Sequence, residues 1–329
     1  MKRRECIAGF AGLGLSFGRP VLAQQPKLGI DFPTQIVKLV APFPPGGTVD
    51  ILSRAIGQQM ALTGLRAGVI VENRSGAGGT VGADFVARAP ADGYTMLFAA
   101  AHHAIAQSVY PKLGFDIRRD FAPVGLLGRV NHVLLCTNAL PVTTVRELVA
   151  YLKANPDKVN YGTPGSGTLH HLMAEQFKLS TGTHMAHVPY KGSGQAMVDL
   201  IAGQIQVYFE TMPSALQQIR GGSVRALAVT SRERAVSLPG VPTVSEAGVP
   251  GFDAASWYGL MVPVRTPQSV VMQLNQALNA AFQNPEFIAR WGAFGATPGG
   301  GTPDQLGTLM TSEVDRWALL SKAANIKVE

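Results

Sequence analysis

Apolar runs of strand length alternate with helical patterns along most of the chain. "QIVKLVAPF" reads as a strand, and behind it Ile51, Leu52, Ala55, Ile56 and Met60 recur at the spacing of one helical face. "AGVIVENR" is the next strand, followed by the turn "SGAGG", a helix through "TVGADFVARA" and a third strand, "GYTMLFAA". The middle of the chain repeats the scheme. Strands at "NHVLLCTN", "VNYGTP", "HMAHVPY", "IQVYFE" and "VRALAVTS" are separated by helices at "TVRELVAYLKANP", "TLHHLMAEQFKLSTG", "SGQAMVDLIAGQ" and "MPSALQQIRGG". A last strand, "ASWYGLMVPV", precedes two or three helices. Strands alternating with helices predict parallel α/β layers. No low-complexity linker separates the two α/β units, so lobes crossed more than once by the chain are expected.

Two turns stand out against this pattern. In "APFPPGGTVD" the chain leaves a strand, spends two prolines and two glycines, and starts a helix at Thr48. Such a turn exposes backbone N–H groups at a helix N-terminus, where an anion is favoured. In "GTPGSGT" (162–168) the hydroxyls of Thr163, Ser166 and Thr168 stand ahead of another helix and suit the same task.

Composition narrows the field. The 329 residues are 46% hydrophobic and 15% charged, enough for a large core in one or two domains. "MKRREC", the apolar "IAGFAGLGLSFG" and the small-residue exit "VLA" predict a signal peptide, residues 1–23, cut near Ala23 and too short to span a bilayer. The pair Arg3-Arg4 leaves twin-arginine export open, although a simple basic n-region fits better. The net charge is +7, and losing Lys2, Arg3, Arg4 and Arg19 against Glu5 leaves about +4. The remaining basic residues are scattered without an aromatic-interleaved stripe, which excludes a nucleic-acid partner and suits a small anionic ligand. Cys136 would be the only cysteine left, so no internal disulfide can form.

The cofactor and catalytic motifs fail on spacing. In "RSGAGGTVG" the third glycine falls one residue late for G-x-G-x-x-G. In "GTPGSGT" a threonine replaces the lysine of a P-loop, and Ser166 lacks the flanking glycines of a nucleophile elbow. Adjacent histidines (His102-His103, His170-His171) point apart, and His184 and His187 fall on opposite faces of a strand, so no metal set is expected. Asp50, in the first turn of its helix, reads as a cap for backbone donors.

"IVKLVAPFPPGGTVDILSR", "VIVENRSGAGGTVGADFVARAPADGYTMLFAA", "YGTPGSGTLHHLMAEQF", "HVPYKGSGQAMVDLIAGQI" and "LPGVPTVSEAG" occur in this order. Together they closely resemble the tripartite tricarboxylate transporter solute receptors, the Bug or TctC-type periplasmic binding proteins, from about Phe32 to the C-terminus. The resemblance implies an α/β, two-lobed Venus-flytrap fold of type II-like form, each lobe a β-sheet flanked by helices, with a hinge between. Lobe 1 would comprise residues 25–130 plus 250–329, and lobe 2 residues 131–249. It also implies a periplasmic, monomeric receptor without cofactor or catalysis, which hands a small organic carboxylate to the large and small membrane subunits of a transporter. A sensory receptor for the same ligands, and a serine hydrolase built on Ser166, are the alternatives.

In the family, one ligand carboxylate is held by a turn from each lobe. Those turns map to Pro45, Gly46, Gly47 and Thr48, and to Thr163, Gly165, Ser166, Gly167 and Thr168. Beyond the carboxylate, Phe43, His103, Phe209 and Glu210, with Asp50 as a neighbour, are the candidates for specificity; Phe43 and Phe209 read equally well as core residues. Aspartate or asparagine is common in the family where Glu210 stands. A glutamate facing an anionic ligand would repel it, so Glu210 either accepts from an amine or hydroxyl or points away.

Overall fold

The computed structural model describes residues 32–324 and Ile326. The expected signal peptide and its cut near Ala23 lie outside the described residues. The first unit runs β1 (Val37–Ala41), α1 (Thr48–Thr63), β2 (Val69–Asn73), a 3-10 turn at Ala77–Gly79, α2 (Thr80–Ala87), β3 (Thr95–Ala100) and α3 (Ala101–Val109). β1 pairs parallel with both β2 and β3. The face of α1 that carries Leu52, Ala55, Ile56 and Met60 is buried against this sheet, as its periodicity requires.

Next comes β4 (Phe121–Thr137), a strand of 17 residues. Then follow α4 (Val145–Ala154), β5 (Asn160–Thr163), α5 (Leu169–Thr181), β6 (Ala186–Pro189), α6 (Ser193–Ile201), β7 (Val207–Thr211), α7 (Met212–Arg220) and β8 (Val224–Val229). The chain then returns through β9 (Ala255–Pro263), α8 (Gln268–Ala281), α9 (Pro285–Ala293), β10 (Ala296–Gly300) and α10 (Pro303–Ala323).

β4 ties the molecule together. Its residues up to Asn131 pair antiparallel with β9, and those from His132 onward pair with β7 and β8. The strand order is β2-β1-β3-β9-β4-β7-β5-β6, with β8 and β10 also on β4. The purely parallel layers expected from the sequence are therefore interrupted at the centre. β9 arrives only after the chain has built β5 to β8, and it inserts antiparallel between β3 and β4. The chain crosses back beside the same point, where Thr230 exchanges hydrogen bonds with His132 and Ala254.

Two elements carried no readable pattern. α3 has no polar stripe because Ala101 to Ala106 are all buried, so its sequence shows no amphipathic period. β10 ("ATPGG") has turn composition yet pairs with β4; its backbone approaches so closely that a Cβ on Gly128 would lie 2.0 Å from the Thr297 carbonyl oxygen.

Candidate ligand-binding site

The proline and glycine turn after β1 does what its composition suggests. Gly46 takes φ +82°, a left-handed conformation open to glycine, and Gly47 follows as the N-cap of α1. Gly47 has no side chain to cap the helix, and the first intrahelical bond runs from the Ile51 N–H to its carbonyl. The N–H groups of the first turn are thus left without intrahelical partners, at the positive end of a helix of 16 residues. Asp50 holds the turn in shape. Its carboxylate accepts the Gly46 N–H at 3.0 Å and the Asn73 side-chain amide at 3.0 Å, and it pairs with Arg54 at 2.8 Å. Burial acts to raise its pKa, but Arg54, Gly46 and Asn73 outweigh that and hold it below the usual value.

This turn faces a cavity of about 440 Å³, a size that suits a small organic molecule. The starts of two more helices also border it. α6 begins after Gly192, again without a side-chain cap, and exposes Ser193 and Gly194 to the cavity. α7 begins at Thr211 and contributes Thr211, Pro213 and Ser214. The floor is His102 from α3, His170 from α5 and Tyr258 from β9; Met197, Val198 and Ile201 form an apolar wall. Among the described residues no Asp, Glu, Lys or Arg lines the cavity, so an anion held there would be met by backbone dipoles and by hydroxyl, amide and imidazole groups.

The sequence-derived candidates divide by position. Phe43, Pro45, Gly46, Gly47 and Thr48 line the cavity, whereas Asp50 stands behind the turn it braces. His103 does not line it. Its Nδ1 accepts the Ala100 N–H at 3.0 Å, which leaves Nε2 as the donor to the Gly79 carbonyl at 3.3 Å, and burial pulls its pKa down to about 4. Its neighbour His102 lines the cavity instead, edge-on to Phe43. Phe209 is a core residue between Phe177 and Phe252.

The turn after β5 has much of its hydrogen-bonding capacity taken by its own groups and by neighbouring side chains. Thr163 Oγ1 bonds His187 Nε2 at 2.7 Å and the Gly165 backbone, and Thr168 caps its own helix while donating to the Gly165 carbonyl at 2.8 Å. The Gly167 N–H is taken by His171 Nδ1 at 3.2 Å, and the Tyr110 hydroxyl reaches the Ser166 carbonyl at 3.5 Å. Of this stretch only Pro164 borders the cavity, so Gly165, Ser166, Gly167 and the two threonines stand one layer away.

Glu210 is fully buried at the end of β7. Its Oε1 accepts the Thr211 N–H (2.7 Å), the Thr211 hydroxyl (2.6 Å) and the Ser214 hydroxyl (2.7 Å). Burial acts to raise its pKa, but the His170 imidazole at 3.8 Å and the Thr211 donors prevail, so it is held below the usual carboxylate range.

His102, His170, Thr211, Ser214, Ser193 and Tyr258 were not singled out from the sequence. For Ser193 and Gly194 a signal existed: "YKGSGQAM" repeats the glycine-then-helix signature of "PPGGTVD". For the histidines none did, because only the fold decides which of two adjacent rings faces inward.

The architecture, two β-sheet units flanked by helices and joined through one long strand, is that of the two-lobed periplasmic solute-binding proteins. The tripartite tricarboxylate transporter family receptor profile matches residues 52–326. Protein BugT of Bordetella pertussis is 36% identical over 300 residues, covering 91% of this chain and 92% of BugT. The solved structure of R. palustris Rpa4515 with adipate is 37% identical, with a TM-score of 0.87 over 90% of this chain and 99% of that one. MatC (Rpa3494) from Rhodopseudomonas palustris, with bound malate, is 32% identical, with a TM-score of 0.83 over 88% and 99% of the two chains. The chain belongs to the tripartite tricarboxylate transporter receptor family, a family of solute-binding receptors and not of enzymes.

Proposed function

We propose that this protein is an extracytoplasmic receptor that closes on a small organic carboxylate and delivers it to the membrane subunits of a tripartite tricarboxylate-type transporter. The observation that carries the reading is that the uncapped starts of α1 at Gly47 and of α6 after Gly192 border one cavity that, among the described residues, no Asp, Glu, Lys or Arg lines. Each charge-assisted bond from these N–H groups to a carboxylate contributes about 1.5–3 kcal/mol. Relatives holding adipate and malate agree in ligand class.

In this reading residues 25–130 and 250–329 form one lobe and 131–249 the other. The change of partners along β4 at Asn131 and His132, and the return crossing at Thr230 and Ala254, support that division. The ligand carboxylate sits on Gly47 and Thr48, with Pro164 and Ser193 closing from the other lobe. The Thr48–Thr211 hydroxyl bond of 2.7 Å links the two sides. Periplasmic location and cleavage near Ala23 belong to the same proposal. Among the described residues no helix is long and apolar enough to cross a membrane.

A thermal-shift panel of mono-, di- and tricarboxylates tests the reading. A ligand that binds only the native state raises stability by RT ln(1 + [L]/Kd), about 2.7 kcal/mol at a hundredfold excess over Kd. At least one carboxylate is expected to raise the melting temperature in this way; a flat panel would refute the assignment.

A further inference from the structure

We propose that the α7 side of the cavity, where Thr211 and Ser214 meet the Thr48 hydroxyl, selects a hydrogen-bond donor on the ligand, a hydroxyl or ammonium group, and rejects a second carboxylate. The inference rests on the carboxylate-receptor reading and deepens it.

The argument follows the protons. Glu210, an ionised carboxylate, can only accept hydrogen bonds. The Thr211 hydroxyl donates its one proton to Glu210 at 2.6 Å, so the 2.7 Å bond between Thr48 and Thr211 must be donated by Thr48. Ser214 likewise donates to Glu210 at 2.7 Å. All three hydroxyl protons therefore run toward Glu210, and the oxygens of Thr48, Thr211 and Ser214, which border the cavity, offer it lone pairs. An acceptor surface of this kind binds a donor.

Glu210 also takes the N–H of Thr211, the N-cap of α7, at 2.7 Å, so its negative charge sits against the positive end of the helix. A second ligand carboxylate brought there would meet a buried like charge and three hydroxyl oxygens with no proton to give.

A second, independent observation places a polar ligand group in the cavity, with His170 on the Glu210 side and His102 beside Phe43. His102 and His170 are each only 4% exposed, both border the cavity, and neither ring nitrogen of either has a hydrogen-bond partner among the described residues. The 3.8 Å separation of His170 Nε2 from Glu210 is too long for a hydrogen bond. Buried imidazoles left without partners are unfavourable unless a ligand satisfies them. An imidazole can give or take a proton, so it accommodates a hydroxyl or amine, while the direction of the hydroxyl chain is imposed by Glu210.

The test measures affinities by calorimetry for succinate, glutarate and adipate, each against the ω-hydroxy and ω-amino monocarboxylate of equal length. In the wild type the hydroxy or amino acid is expected to bind at least about tenfold more tightly than its diacid, a difference of about 1.4 kcal/mol. Glu210→Gln is expected to bring the two within about threefold by improving the diacid. The proposal is overturned if the wild type prefers the diacids, or if a folded Glu210→Gln variant keeps the wild-type ratio. Should that variant fail to fold, the wild-type ratios decide alone. Absence of binding by every compound would overturn the receptor reading itself, an outcome distinct from binding with the wrong preference.

Discussion

The starts of α1 and α7 both border the cavity and meet there, Thr48 against Thr211 at 2.7 Å, yet the same backbone feature is used differently in each. At α1 the N-cap is Gly47, the first-turn N–H groups are uncapped, and the nearest carboxylate, Asp50, is turned back to Gly46, Asn73 and Arg54. At α7 the residue before the N-cap is Glu210, and its carboxylate already holds the Thr211 N–H and two hydroxyls. The start of α5 is a third case, where Thr168 caps its own helix and keeps the turn to itself. A positive helix end becomes an anion site only when the chain declines to fill it. One residue at or before the N-cap decides.

The sharpest way to break this contrast is to fill the open end. Gly47 has φ −83° and ψ 170°, extended backbone that any residue adopts, and a Cβ there meets nothing closer than 3.8 Å. Gly47→Asp is expected to lower carboxylate affinity at least about a thousandfold, since it loses two or more charge-assisted bonds and adds a like charge. The melting temperature should hold or rise slightly, because aspartate is a good N-cap. Calorimetry with a thermal melt checks both; retained affinity would relocate the site.

The adjacent histidines extend the comparison to acid. His103, pulled down to about 4 by burial, is neutral and satisfied in the fold, and burial also lowers His171 to about 4. Their ordinary value in the unfolded chain is near 6.5, so below that pH the unfolded chain binds protons that the native state refuses. Stability is therefore complete above pH 6.5 and falls as the pH drops toward 4. The loss at His103 approaches about 3 kcal/mol, at roughly 1.4 kcal/mol per pKa unit. Denaturant melts across this window should show the decline, and His103→Gln should make it shallower, leaving the share of His171.

The smallest effect is expected at α5. Thr168→Ala removes a helix cap and should cost about 1 kcal/mol of stability. Its effect on ligand affinity should be far below that of Gly47→Asp. Equal losses in the two variants would mean that the β5–α5 turn holds the ligand directly.

Much of this was legible in the chain. The Pro-Pro-Gly-Gly turn predicts an exposed helix start because proline and glycine chemistry is local, and the strand and helix periods locate most elements for the same reason. Asp50 reads as a cap for backbone donors from its first-turn position alone, and the backbone donor it holds is the Gly46 N–H. What escaped was non-local. The hydroxyls of Thr163 and Thr168 look available in sequence, yet His187 and the Gly165 backbone, brought by other elements or by the turn itself, consume them. Phe209 of β7 lies in the core, while Thr211, two residues on where the strand gives way to α7, borders the cavity.

The sequence by itself therefore determined the α/β elements, the family and the open glycine turn of α1, all of which follow from short-range conformational preference and ordered motifs. The tertiary structure decided which of His102 and His103 faces the cavity, and that Glu210 stands behind Thr211 and Ser214 instead of facing the ligand. It also decided that β9 inserts antiparallel at the centre of the sheet. Those outcomes depend on which groups from distant segments meet and satisfy one another's hydrogen bonds, and no local pattern encodes that meeting.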